Sequence, residues 1–343
     1  MSYEYEKVAT PASGLRLHLN ENTAGCSPAV VDALARLTRT AIAEYPDYDA
    51  AISATAIRLG VPAESLLLTN GLDEGILVAA MAAFRATAGN AEAVVVVPAF
   101  DMYAACTDAS GGRVVEVPLG EGFAFPLEQI LSAITEATRI VWLTNPNNPT
   151  GQSIPREALL RIASAARDAI VFVDEAYADF GGQTLIGDSA LDDFPRIVVG
   201  RTFAKAYGLA GIRAGAVIGT PSTISLLRRM TPPYSLNACA AVALPAAFAD
   251  TTYYNWYVDQ VSQSRAMLYA AFRRLGVTYW TSNANFVLAR FEGRAAAIAE
   301  GLATHGVHVR DRSGDEGCAD CLRITAGVVD HTQQFLAALE DVL

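Results

Sequence analysis

The sequence predicts an α/β protein: a large, mostly parallel seven-stranded sheet sandwiched by helices, with a smaller α+β portion after it. Three observations carry this. Short β-branched runs such as Ala93-Val-Val-Val-Val97, Ile140-Val-Trp-Leu143, Ile170-Val-Phe-Val173 and Ile197-Val-Val-Gly200 alternate with helix-period segments such as Arg156–Ala166, as in a parallel sheet buried on both faces. At 343 residues the chain is long enough for about two domains. Past Pro232-Pro233-Tyr234 the pattern changes, and one long amphipathic segment leads into short strands and helices.

In chain order, Met1 to Gly14 lacks periodicity and reads as an extended arm, and Arg16-Leu-His-Leu19 as a short strand. Ser27-Pro28 is an N-cap with proline at the first helical position, opening a helix with Val31, Leu34 and Leu37 on one face. Pro46 ends any helix reaching Tyr45. Asp49–Leu59 is weakly helical, Ser65–Thr69 is the first strand of the large sheet, and Asn70-Gly71 turns into a helix from Leu72 through Phe84. Strands follow at 93–97, 114–117, 140–143, 170–173 and 197–199. Ala214–Gly219 comes too soon after the last of these for a crossover helix, so it runs antiparallel. Helices at Asn237–Ala249 and Tyr253–Leu275 precede the α+β portion, whose pieces are Tyr279–Phe291, Ala295–Thr304, Val307–Arg310, Leu322–Ile324 and Thr332–Leu343. The expected division is an arm and helix over 1–44 packing with the small portion, a large domain over 45–245, and a small domain over 246–343.

Composition excludes several classes. The 52% of hydrophobic residues is scattered, and no run approaches the ~18 apolar residues of a membrane span. Met1-Ser-Tyr-Glu-Tyr-Glu-Lys7 has no basic, then apolar, leader pattern, so a cytoplasmic protein is expected. A net charge of −11 without a basic stripe argues against a nucleic-acid surface. Five cysteines do not suggest a disulfide framework, and Cys318-Ala-Asp-Cys321, with no second pair and no histidine near it, reads as two reduced thiols flanking a loop rather than a metal site.

The chemistry-bearing residues fall where predicted strands give way to loops, the place where open α/β sheets bind ligands. Ile197-Val-Val-Gly200 leads into Arg201-Thr-Phe-Ala-Lys205, Ile140–Leu143 into Thr144-Asn-Pro-Asn-Asn-Pro-Thr-Gly151, and Ile170–Val173 into Asp174-Glu-Ala-Tyr177. Together these suit pyridoxal 5'-phosphate. Lys205 is the amine for a Schiff base with its aldehyde and for proton transfer, and Asp174 the buried carboxylate that keeps its ring nitrogen protonated. Asn148 and Tyr177 are donors for its phenolic oxygen. Thr202 and Arg213 are a hydroxyl and a cation for its phosphate, joined by the backbone of Gly71, Leu72 and Asp73 at the start of a helix. The plain alternative leaves Lys205 and Asp174 as solvated loop residues.

The spacing of Asn148-Pro-Thr-Gly151, Asp174-Glu-Ala-Tyr177 and Arg201-Thr-Phe-Ala-Lys205-Ala-Tyr-Gly-Leu-Ala-Gly-Ile-Arg213 resembles the fold-type I aminotransferases, and among them the histidinol-phosphate aminotransferase-like group. The likeness runs from Leu19-Asn-Glu-Asn22 to Leu322-Arg-Ile-Thr-Ala-Gly327. It implies a homodimer in which Tyr45 reaches the neighbouring subunit's cofactor phosphate. It also implies that Tyr103 stacks on the cofactor ring while Phe100 packs, that Arg323 binds a substrate carboxylate, and that Arg310 receives a phosphate or distal carboxylate. Asn285 is added as a further substrate contact. Members acting on histidinol phosphate usually carry a longer N-terminal segment with a Pro-Tyr element. Here 19 residues precede Asn20 and no Pro-Tyr is among them; Tyr3 and Tyr5 are the available aromatic substitutes. The expected activity is amino transfer to 2-oxoglutarate. The alternatives are a broad or aromatic amino acid aminotransferase, a phospho-amino-acid decarboxylase, or a cofactor-bound binding protein.

Overall fold

The structure, a computed structural model, describes residues 11–85 and 90–343; Tyr3, Tyr5 and most of the expected arm lie outside them. The chain contributes β1 (Leu15–Leu17), then β2 (Leu66–Thr69), β3 (Glu92–Val97), β4 (Arg113–Pro118), β5 (Thr138–Thr144), β6 (Ile170–Asp174), β7 (Ile197–Thr202) and β8 (Gly215–Ile218). It ends with β9 (Thr278–Tyr279), β10 (Phe286–Arg290), β11 (Val307–Asp311) and β12 (Cys321–Thr325). Seven strands form the large sheet in the order β2-β8-β7-β6-β5-β3-β4, and five form a second sheet, β1-β11-β12-β10-β9.

Only β8 opposes its neighbours in the large sheet, pairing antiparallel with both β7 and β2, as its short connection requires. β5, β6 and β7 are fully or almost fully buried along their length, which explains their continuous apolar runs. Their register sets Thr144 beside Asp174 and Asp174 beside Gly200, so three chemistry-bearing loops leave one edge of the sheet side by side.

In the second sheet β1 pairs in parallel with β11, and Arg310 stands directly opposite Arg323 across β11 and β12. The long helix spans Thr251–Leu275, starting earlier than expected because the Asp250 side chain accepts from the Tyr253 amide and caps it. The helix Pro28–Ala35 has the expected Ser27 cap, but it packs on the helix Ala238–Ala249 with Val30 inward and leaves Val31 56% exposed. Leu34, one turn on from Val30, packs against the core as expected, so the departure lies at Val31. Both Val30 and Val31 are apolar, and only the packing partner distinguishes them.

Candidate active site

At the strand ends lies a cavity of about 330 Å³, within the range of small-molecule sites. Lys205, Asp174, Tyr177, Asn148, Thr202 and Arg213 all line it. A wider surface cleft of about 1090 Å³ runs past Arg16, Gly208 and His331 and contains none of those six.

Asp174 ends β6 and is 3% exposed. Its Oδ2 accepts from Tyr103 Oη at 2.7 Å and its Oδ1 from the Ala176 amide at 2.9 Å. Burial raises its carboxyl pKa from 3.8 to about 6, against those two hydrogen bonds and Lys205, which favour the charged form. Between these values the folded protein holds a proton that the unfolded chain releases. Stability therefore falls as pH rises through that window, and the cost, on the order of 2–3 kcal/mol, is fully present above it. In the cofactor-free protein Asp174→Asn is thus expected to be more stable than the parent at pH 8 and to match it near pH 3.5. Denaturation midpoints at both pH values measure this, and an equal gap at each refutes the assignment of strain to Asp174.

Lys205 Nζ has no carboxylate partner among the described residues; it donates to the Leu19 carbonyl at 3.0 Å and lies 5.9 Å from the Tyr177 ring centre. That carbonyl is presented by the segment after β1. There Asn20 adopts φ 55°, a left-handed conformation that asparagine tolerates better than most side chains. Asn20 is buried and donates through Nδ2 to Tyr177 Oη at 3.2 Å, leaving the tyrosine proton to point elsewhere.

Gly71 precedes the helix Leu72–Phe84 with φ 79°, and no side chain caps that helix. A Cβ at Gly71 would come within 2.5 Å of Arg213 Nη2, so glycine is what lets the guanidinium lie against the helix start. Arg213 is held there by Asp73 Oδ2 at 2.7 Å. Uncapped amides, a cation and the Thr202 hydroxyl thus gather at one end of the cavity.

Arg310, Arg312 and Arg323 also line the cavity. Arg323 is 5% exposed; its Nη1 donates to Asn148 Oδ1 and its Nη2 to the His18 carbonyl at 2.7 Å, while Nε has no partner. It forms no ion pair among the described residues, and burial pushes its pKa down to about 10. Arg310 likewise has no carboxylate partner among the described residues, whereas Arg312 pairs with Asp315. His18, also buried, is pushed down to about 4 by burial and then by Arg16, His308, Arg310 and Arg323. The region demands an anion.

One expectation changes, that for Asn285, while Tyr45 and Tyr103 show what their own chain places beside them. Asn285 is fully buried and does not reach the cavity; its Nδ2 donates to the Asn20 carbonyl at 3.0 Å, bracing the segment that carries Leu19. Tyr45 is 78% exposed, stacked on Tyr234 with ring centres 4.2 Å apart, and away from the cavity of its own chain. Tyr103 lies against Trp142, nearly parallel at 16°, and its hydroxyl reaches Asp174 as well as Thr144 Oγ1. Phe100 meets Tyr103 edge-on, in the packing position expected of it. Sequence reasoning missed Asn20, Thr144 and Arg312. Arg312 had a signal, since it follows Arg310 at the two-residue period that keeps side chains on one strand face.

The chain belongs to the class I and II aminotransferases, pyridoxal phosphate-dependent enzymes: the family profile "Aminotransferase class I and II" matches residues 12–339. Among curated proteins it is 35% identical to histidinol-phosphate aminotransferase 1 of Cupriavidus pinatubonensis, over 96% of this chain and 88% of that one. The crystal structure of histidinol-phosphate aminotransferase from Sinorhizobium meliloti in complex with pyridoxal-5'-phosphate superposes with a TM-score of 0.85 at 26% identity, covering 96% of this chain and 90% of that one. L-threonine-O-3-phosphate decarboxylase from Porphyromonas gingivalis shares the fold at a TM-score of 0.80 and 22% identity, covering 95% and 98%.

The residues present fit the cofactor. The uncapped helix start beside Arg213 suits a phosphate, buried Asp174 suits a cationic ring nitrogen, and Lys205 is an amine that forms no ion pair among the described residues.

Proposed function

We propose that this enzyme transfers an amino group from histidinol phosphate, or a closely related amino donor, to 2-oxoglutarate. The observation that carries the reading is that Arg310, Arg312 and Arg323 line one cavity with Lys205 and Asp174, and that among the described residues Arg312 alone of the three has a carboxylate partner. The donor brings a phosphate and the acceptor two carboxylates, and the same guanidinium groups serve both. The 35% identity to a histidinol-phosphate aminotransferase favours that donor over an aromatic or broad one.

When bound, pyridoxal phosphate supplies an aldehyde that condenses with amines and a ring that takes up the electron pair left at the substrate's α-carbon. Lys205 Nζ would hold the cofactor through its aldehyde and would move the proton at that carbon. Asp174 would keep a proton on the ring nitrogen while its carboxylate accepts from Tyr103, whose ring would stack on the cofactor. Asn148, with Oδ1 committed to Arg323, would offer its Nδ2 as a donor to the phenolic oxygen, and Tyr177 Oη would add a second donor. Thr202, Arg213 and the backbone of Gly71, Leu72 and Asp73 would hold the phosphate. Arg323 would take a carboxylate of the acceptor, and Arg310 its distal carboxylate or the donor's phosphate.

Tyr45 belongs to this site only if a second copy supplies it. Its exposure beside the exposed Tyr234 supports a homodimer in which each copy's Tyr45 reaches the partner's phosphate. An amine-transfer assay with 2-oxoglutarate against a panel of donors, watched also for carbon dioxide, tests the function. Glutamate should form fastest with histidinol phosphate and without gas release. Carbon dioxide without glutamate makes the protein a decarboxylase, and cofactor binding without turnover of any donor makes it a binding protein.

A further inference from the structure

We infer that Arg201 is the positioning residue that sets Lys205 and Asp174 relative to one another. It stands on β7 between Gly200, whose backbone pairs with Asp174, and Thr202. Its Nη1 donates to Glu175 Oε2 at 3.3 Å and its Nη2 to Asp179 Oδ1 at 2.9 Å. All three side chains are 10% exposed or less. Glu175 directly follows Asp174 and is itself held by the Leu185 amide at 2.7 Å and Thr184 Oγ1 at 2.6 Å. Asp179 lies in the short turn after Tyr177 and accepts from Tyr254 Oη at 2.8 Å. Tyr254 stacks on Tyr207 at 4.9 Å, and Tyr207 is two residues beyond Lys205. Arg58 joins the pair, its Nε on Tyr207 Oη at 2.6 Å and its guanidinium 4.3 Å from the Tyr254 ring centre. The contacts form a closed circuit from β7 through Arg201, Asp179 and Tyr254 back to the loop that carries Lys205.

Stability does not ask for ions here. Replacing a buried ion-pair network by apolar side chains of similar volume is commonly neutral or stabilising, because desolvation offsets the Coulomb attraction. An apolar cluster lacks direction, whereas a guanidinium fork fixes two carboxylates at once. In this chain the carboxylates belong to the turn that holds Asp174 and Tyr177, and the fork belongs to the strand that leads to Lys205. Asp174 and Lys205 share no hydrogen bond among the described residues, since Asp174 takes Tyr103 and Ala176 while Lys205 takes Leu19. Their separation therefore rests on strand register and on this bridge.

The proposal rests on Lys205 and Asp174 being the reactive pair, which borohydride reduction of the unaltered, cofactor-loaded protein checks separately by tagging Lys205. The test is Arg201→Lys, which keeps the charge and cannot span both carboxylates. The expected result is a fall in kcat of about tenfold or more with KM for the amino donor within about threefold. The pH titration of the visible absorbance of the resting, loaded protein should move by about half a unit or more. A merely structural Arg201 would lower the melting temperature and leave kcat per bound cofactor and that titration at parental values, which overturns the proposal. If Arg201→Lys does not fold, Asp179→Asn, nearly unchanged in shape, is read by the same two measurements. Parental values there overturn it equally.

Discussion

Replacing Lys205 by alanine is expected to abolish amino transfer, with a loss of at least about 10⁴-fold, because in the proposed reading one side chain both carries the cofactor and moves the proton at the α-carbon. Cofactor should still bind, since the helix start at Gly71 and Leu72, Arg213 and Asp174 are untouched. Borohydride should tag Lys205 in the parent and nothing in the variant. A reducible link that survives in the variant would show that another amine does this work. The same variant tests the dimer. Mixed with Tyr45→Ala chains, Lys205→Ala chains should give activity above that of either variant alone, because one site of each mixed dimer joins Lys205 and Arg213 from the Tyr45→Ala copy to an intact Tyr45 from the other. Full activity in a dilute, demonstrably monomeric sample would refute the shared site.

Asp174→Ala is expected to cost roughly 3–5 kcal/mol of transition-state stabilisation, since in the proposed reading it leaves a buried cationic ring nitrogen without its counter-charge. Tyr103 loses its acceptor in the same stroke and retains only Thr144. Asp174→Glu, which keeps the carboxylate but displaces it, should cost less. Steady-state kinetics of the three proteins at saturating cofactor decide the matter, and an alanine variant turning over near the parental rate would remove Asp174 from the mechanism.

Much of this site was legible because its signals are local. The β-branched runs of β5, β6 and β7, and the polar residues directly after them, lie within short stretches, and a parallel sheet necessarily brings such strand ends to one edge. The short span between β7 and β8 likewise admitted only an antiparallel pairing. Where the aim of a side chain depends on a distant partner, local signals failed. Asn20 and Tyr177 stand 157 positions apart, and Arg323 and Asn148 stand 175 apart. No periodicity announces either meeting.

The sequence by itself determined the α/β class, the order of strands and helices, the cofactor and the residues that line the candidate cavity, because periodicity, turn chemistry and the spacing of Asn148, Asp174, Lys205 and Arg213 are properties of nearby residues. Only the tertiary structure decided the rotation of each element and hence what each side chain meets. It turned Val30 rather than Val31 inward, sent Asn285 to the Asn20 carbonyl instead of the cavity, added Arg312 to the anion-binding side, and brought the Tyr103 hydroxyl onto Asp174. The physical reason is that a helix or strand carries several faces its sequence would accept, and the choice among them is made by the packing of segments far apart in the chain.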